Sequence, residues 1–139
     1  MLKDINRYNT STARQITEHF HAKRVLVTGG FGFVGGHVAR HLLNCGAELA
    51  LLDIDTSPDR PSMVNCPRQG IREKVRIIEA DVTDKKMMLD IIDEGRFHYI
   101  FHFAAYASVI EKALNAPYDT IMANTMGWIK VLRCFMWVA

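Results

Sequence analysis

Thr28-Gly29-Gly30-Phe31-Gly32-Phe33-Val34-Gly35-Gly36 follows directly on the apolar run Arg24-Val25-Leu26-Val27. Five of the nine glycines in the chain fall in this stretch, so backbone freedom is concentrated at a strand-to-helix turn. Missing side chains let a backbone come close to a phosphate. The free N–H groups and the dipole at the start of the next helix favour negative charge. A dinucleotide pyrophosphate suits such a turn, so the stretch names a class of ligand more firmly than it names a reaction.

Working outward, Lys23 to Thr28 reads as a buried strand. A helix is expected from Phe33 to Cys45, with Val34, Val38, Leu42 and Leu43 inward, His37, Arg40, His41 and Asn44 outward, and Gly46 as its stop. Glu48 to Ile54 gives a second strand. Thr56 to Gly70 holds three of the four prolines and reads as a long irregular loop. Lys74 to Ala80 is the third strand, and Thr83 or Asp84 caps a helix that runs to about Glu94 and ends at Gly95. His98 to Phe103 is the fourth strand. A last helix is expected from Asp119 or Thr120, with Ile121, Thr125, Trp128, Ile129, Leu132 and Phe135 as its inner stripe. Apolar strands alternating with amphipathic helices predict an α/β fold with a parallel sheet covered on both faces. Right-handed crossovers give the order 3-2-1-4, an incomplete Rossmann-type sheet. Residues 1–22 are expected to form a polar arm with a short helix capped near Ser11, and residues 23–139 the Rossmann domain.

The glycine turn gains weight from its surroundings: a strand before it, a helix after it, and an acidic residue at the end of the next strand. Gly29 would make the tight turn, Gly32 would admit the pyrophosphate, and Gly35 would allow close helix–strand packing. Asp53, 18 residues beyond Gly35, is placed to accept hydrogen bonds from an adenosine ribose. Its charge favours NAD over NADP, although Arg60 nearby could pair with a 2′-phosphate.

The spacing Thr28-Gly29-x-x-Gly32-x-x-Gly35, with Phe33 inside it, resembles the extended short-chain dehydrogenase/reductase superfamily. More narrowly it is similar to the NAD-dependent epimerase/dehydratase family that acts on nucleotide sugars. Ala80-Asp81-Val82-Thr83-Asp84, Phe101-His102-Phe103-Ala104-Ala105 and Ala123-Asn124-Thr125-Met126-Gly127 carry the same resemblance. It implies a dinucleotide held by Gly29, Gly32, Phe33, Val34 and Gly35 at the pyrophosphate, Asp53 at the ribose, and Asp81 and Val82 at the adenine. Ala104, Ala105 and Asn124 would border the nicotinamide. Trp128 departs from the pattern, where a small threonine is usual.

The family's chemistry uses a tyrosine with a lysine four positions on, because a phenol near pKa 10 needs a nearby cation to act as a base at neutral pH. Tyr8, Tyr99, Tyr106 and Tyr118 are followed at that spacing by Thr12, Phe103, Ile110 and Met122, so no Tyr-x-x-x-Lys pair is present. The sequence stops in or just after the Asn124 helix with an apolar run. The expectation is therefore the cofactor-binding part of a longer oxidoreductase, not catalytic by itself, with nucleotide sugar bound only in a full-length form. The alternative is a non-catalytic binding or interaction module, self-associating or pairing through its apolar C-terminal surface.

Bulk properties agree with one globular domain of 139 residues, 49% hydrophobic and 23% charged, with a net charge of +2 that points to neither nucleic acid nor membrane. Cys45, Cys66 and Cys134 are widely spaced and odd in number, which suits a reducing compartment, and the cytosol is expected. His37 and His41 have the i, i+4 spacing of metal ligands but lack a third, so no metal site is expected. His19 and His21 read as part of the arm and His102 as a satisfied interior histidine. Asp55 and Asp59 read as turn residues, while Lys112 and Ser108 are weak candidates near the cofactor.

Overall fold

The computed structural model describes residues 10–66, 71–105, 115–126, 129, 131 and 132. Among the described residues the elements run in the order α1 (Thr10–Phe20), β1 (Arg24–Thr28), α2 (Phe33–Asn44), β2 (Glu48–Asp53), β3 (Arg76–Glu79), α3 (Lys85–Gly95), β4 (Tyr99–His102) and α4 (Pro117–Ile121). A 3-10 turn, Arg72–Lys74, leads into β3, and a π-helical stretch, Met122–Met126, continues from α4.

The strands form one parallel sheet in the order β3-β2-β1-β4, as expected from the alternation of elements. Thr28 sits in register with Leu52 on one side and His102 on the other, and Asp53 with Glu79. The C-terminal ends of the strands therefore line one edge. Successive side chains of a strand point to opposite faces, and here each face has its own core. Val25, Val27, Leu49 and Leu51 pack with Phe31, Ala39 and Leu42 on the α2 side. Leu26, Ala50 and Leu52 pack with Met88 and Ile92 of α3 and with Val131 on the other. Burial on both faces is why the inner positions of β1 and β2, Val25 to Val27 and Leu49 to Leu52, form continuous apolar runs.

Helix α1 does not stand clear of the sheet. Its last residue, Phe20, joins the α2-side core and lies ring to ring with Tyr99 at 5.4 Å and Phe101 at 6.0 Å. His19, expected in a mobile arm, is instead 2.8 Å from the Tyr99 hydroxyl through Nε2.

Three local expectations are corrected. In α2, Val34 faces outward, and Gly35, Gly36, Ala39 and Leu42 form the buried face. Close backbone packing at the glycines turns that face toward the strand. In α3, Gly95 is still helical, and the left-handed residue that ends the helix is Arg96 (φ 43°). Glycine at 95 instead leaves space for the Phe97 ring, which would have to move aside for a β-carbon there. The last helix starts at Pro117, and the expected inner stripe is not buried: Ile121, Thr125, Ile129 and Leu132 are exposed, while Val131 is buried. The wider turns of the π stretch break the 3.6-residue spacing on which that stripe was drawn. Trp128 and Phe135 lie outside the described residues.

Candidate functional site

The glycine turn runs from the end of β1 into the first turn of α2 at the C-terminal edge of the sheet. Gly29 takes a positive φ of 65°, and a β-carbon there would lie 2.6 Å from the Ala104 nitrogen and the Phe103 carbonyl carbon. A β-carbon at Gly35 would fall on the Gly29 carbonyl oxygen. These two glycines are thus demanded by the fold. Gly32 differs. Its φ is an ordinary −75°, and a β-carbon would meet only the Gly29 oxygen, at 3.1 Å.

Gly32 is also the N-cap of α2 and supplies no side-chain cap to the helix. First-turn N–H groups of a helix have no intrahelical partner, and Phe33 and Val34 on this turn are exposed, Phe33 at 83%. The result is an uncapped helix start beside open space, matched to the donor needs of a diphosphate.

Asp53 lies beside this turn. It is 7% exposed, and its Oδ2 accepts the Phe31 N–H at 3.0 Å. Its Oδ1 accepts from Arg60 Nη1 at 3.0 Å and, at 3.4 Å, from the Asp55 N–H. The Ala80 N–H donates to the Asp53 carbonyl, which brings the segment after β3 next to the end of β2. There Val82 is buried, and exposed Asp81 accepts both the N–H and the hydroxyl of Thr83 at 2.8 Å, closing its own turn.

On the β4 side, the Ala104 N–H donates to Thr28 Oγ1 at 3.3 Å, and that oxygen is 2.6 Å from His102 Nδ1. The other ring nitrogen of His102, Nε2, is buried without a partner among the described residues. The histidine is therefore satisfied on one side only, a correction to the expectation. Burial lowers its pKa from the usual 6.5, since a charged ring would be poorly solvated there.

The structure thus gathers Gly29, Gly32, Phe33, Val34, Gly35, Asp53, Val82 and Ala104 at one edge of the sheet, with exposed Ala105 next in the chain. Asn124 lies exposed on the π stretch. Among the weaker candidates, Asp55 Oδ1 accepts the Ser57 N–H, the Asp59 N–H donates to Ser57 Oγ, and His37 packs edge-on to Phe33. Ser108 and Lys112 lie outside the described residues.

The β2–β3 loop contributes groups that residue spacing did not reveal. Met63 and Val64 fold back over α2, with Met63 beside Gly36 and Val64 in the core. Arg72 donates from Nη1 to the Thr56 carbonyl at 3.0 Å and to Asn65 Oδ1 at 2.7 Å, and stands over the Phe31 ring at 5.4 Å. The trace of this in the sequence is Arg60 and Arg72 placed in and just after a Pro-rich loop.

Fold and site together define a Rossmann-type α/β domain whose first turn has the form used to meet a diphosphate. A family model described as GDP-mannose 4,6 dehydratase matches residues 26–138, and the chain belongs to this family of the NAD-dependent epimerase/dehydratase group. It is 28% identical over 109 residues to a UDP-glucose 4-epimerase of Haemophilus influenzae, covering 78% of this chain and 32% of that protein. The structure of epimerase Mth375 from Methanothermobacter thermautotrophicus superposes with a TM-score of 0.78 at 27% identity, over 95% of this chain and 37% of the other. That of the Thermus thermophilus UDP-glucose 4-epimerase, a complex with NAD, gives 0.68 at 32% identity, over 83% of this chain and 34% of the other. The chain thus spans about a third of the length of each of these three proteins.

Proposed function

We propose that this chain binds a nicotinamide dinucleotide, NAD in the first instance, across the C-terminal edge of its sheet, as the cofactor-holding part of a nucleotide-sugar epimerase/dehydratase-type oxidoreductase. The observation that carries this is the uncapped start of α2 at Gly32, with exposed Phe33 and Val34 beside it and the Asp53 carboxylate next to the turn. The first-turn N–H groups of Phe33, Val34 and Gly35 meet the pyrophosphate, and Asp53 accepts from the ribose. Asp81 and Val82 border the adenine, and Ala104, Ala105 and Asn124 the nicotinamide. When bound, the dinucleotide supplies hydride acceptance and donation, while the protein holds and orients it. The absent Tyr-x-x-x-Lys pair makes binding, rather than turnover, the role assigned to these 139 residues.

The NAD complex of the Thermus epimerase supports the cofactor class. The test uses Gly32, whose φ is ordinary and where a β-carbon would meet only the Gly29 carbonyl oxygen, at 3.1 Å, which would have to give by a few tenths of an ångström. Calorimetric titration with NAD should show saturable one-to-one binding that Gly32→Val weakens by about tenfold or more, the scale of a lost charge-assisted hydrogen bond. Amide resonances of residues 29–35 should move on titration. A folded sample that takes up neither NAD nor NADP at millimolar concentration would refute the proposal.

A further inference from the structure

The ends of β1 and β4 are tied together by a threonine and a histidine. Thr28 and His102 sit in register on these two strands, and strand alternation puts both on the α3 face with Leu26 and Ile100. Thr28 Oγ1 accepts the Ala104 N–H at 3.3 Å and lies 2.6 Å from His102 Nδ1, while the Thr28 carbonyl accepts the Phe103 N–H at 3.0 Å. Thr28 is fully buried, so bulk water does not reach its hydroxyl. Among the described residues, Nδ1 is the acceptor that remains for the hydroxyl proton, and a neutral ring accepts only on the nitrogen that carries no proton. The seam is also tight. A β-carbon on Gly29 would lie 2.6 Å from the Ala104 nitrogen, so the glycine turn and the loop after β4 are in direct contact.

We infer that His102 is a positioning residue for the dinucleotide and makes its binding sensitive to acid. The neutral ring takes the Thr28 hydroxyl proton on Nδ1, which leaves Oγ1 to hold the Ala104 N–H, and protonation of Nδ1 undoes this strap. The inference rests on the dinucleotide-binding role proposed above, in which Gly29 and Ala104 stand on either side of the seam. A proton on Nδ1 sets two donors against each other across 2.6 Å. The hydroxyl must then turn, and its proton has no other acceptor among the described residues. The ring proton on Nε2 is likewise buried without an acceptor there, so a charged ring is poorly held on both sides. Burial already lowers the His102 pKa, in keeping with a ring kept neutral. No counter-charge offsets this among the described residues. The core on that face is apolar, and Asp81, Asp84, Lys85, Lys86 and Asp90 around α3 and Asp119 on α4 are exposed. Protonation therefore displaces the ring and shifts the loop after β4 against the glycine turn.

The experiment measures NAD affinity by calorimetry at about pH 7.5 and about pH 5 on the full 139-residue chain, Thr28→Ser and His102→Asn, with nitrogen-15 spectra of the His102 ring in the unaltered chain. Affinity of the unaltered chain should fall by about threefold or more in acid, and saturating NAD should move the His102 titration midpoint down, as linkage requires. The ring spectrum at neutral pH should show Nδ1 without a proton and Nε2 with one. Thr28→Ser keeps the hydroxyl and should keep the acid loss. His102→Asn offers an amide oxygen to the hydroxyl but does not titrate, so at neutral pH it should bind NAD within about threefold of the unaltered chain, with a flat profile. A dependence set by His37, packed on Phe33 at the mouth of the turn, has the opposite sign, because a cation there attracts a diphosphate. An affinity that holds or rises in acid, an equal acid loss in His102→Asn, or a proton on Nδ1 at neutral pH would overturn the inference. Should His102→Asn not fold, the ring spectrum and its response to NAD decide alone. A folded chain that binds no NAD at neutral pH would remove the proposed function itself, whereas binding with a flat profile would remove only the role of His102.

Discussion

Gly29, Gly32 and Gly35 look equivalent in a motif and do different work in the folded chain. At Gly29 the left-handed backbone and the pressure of the Phe103–Ala104 peptide exclude any side chain, and at Gly35 the Gly29 carbonyl does so. Gly32 is the least confined of the three, its β-carbon meeting only the Gly29 oxygen at 3.1 Å, which is why it is the one chosen to test binding. Beside the turn, His102 makes a pH-dependent contribution to stability. Burial lowers its pKa in the folded state, so as pH falls the unfolded chain takes up the proton first. The contribution is complete above the unfolded value of 6.5 and is lost as pH drops from there toward the folded value. Urea unfolding should therefore show lower stability near pH 5.5 than near pH 7.5, and His102→Asn should flatten part of that slope. An identical slope in the variant would show that the ring titrates alike in both states.

At the scale of elements, ends are decided by single groups. The Asp84 carboxylate accepts the Met87 N–H at 3.0 Å and caps α3, while no side chain caps α2. The contrast suits the proposed binding role: the capped helix satisfies part of its own first turn, and the uncapped one leaves donors unpaired by side chains. Asp84→Ala should lower the unfolding free energy by about 1 kcal/mol, read from the urea midpoint at unchanged slope. NAD affinity should stay as it was. The C-terminal end of α3 was drawn one residue early, because Gly95 serves the Phe97 ring and Arg96 supplies the left-handed turn. Similarly, the stripe drawn through Ile121, Ile129 and Leu132 assumed one helical period, and the π stretch between them cancels it.

For the whole molecule, one central sheet ties two cores together. Leu26 is fully buried on the α3 face, whereas Phe33, a larger apolar side chain, is exposed at the mouth of the turn. Leu26→Ala should cost about 2–5 kcal/mol in a cooperative urea transition. Phe33→Ala should stay within about 0.5 kcal/mol of the unaltered chain. A large loss for Phe33→Ala would mean that its ring is packed rather than offered to a ligand. Strand order, the parallel sense of the sheet, the α2 start and the position of Asp53 were all legible in the sequence. Each follows from short-range pattern: apolar runs, glycine spacing and the handedness of crossovers. The partners of Asp53 were not legible, nor was the docking of Phe20 on Tyr99 and Phe101. Residue order alone determined a Rossmann-type sheet with a glycine turn facing an acidic strand end. Only the tertiary structure decided that Arg60 sits on Asp53, that His102 keeps one nitrogen unpaired among the described residues, and that Gly32 is the least confined of the three motif glycines. Those outcomes depend on how a long irregular loop and two strand ends approach one another in space, and no periodicity encodes such distances.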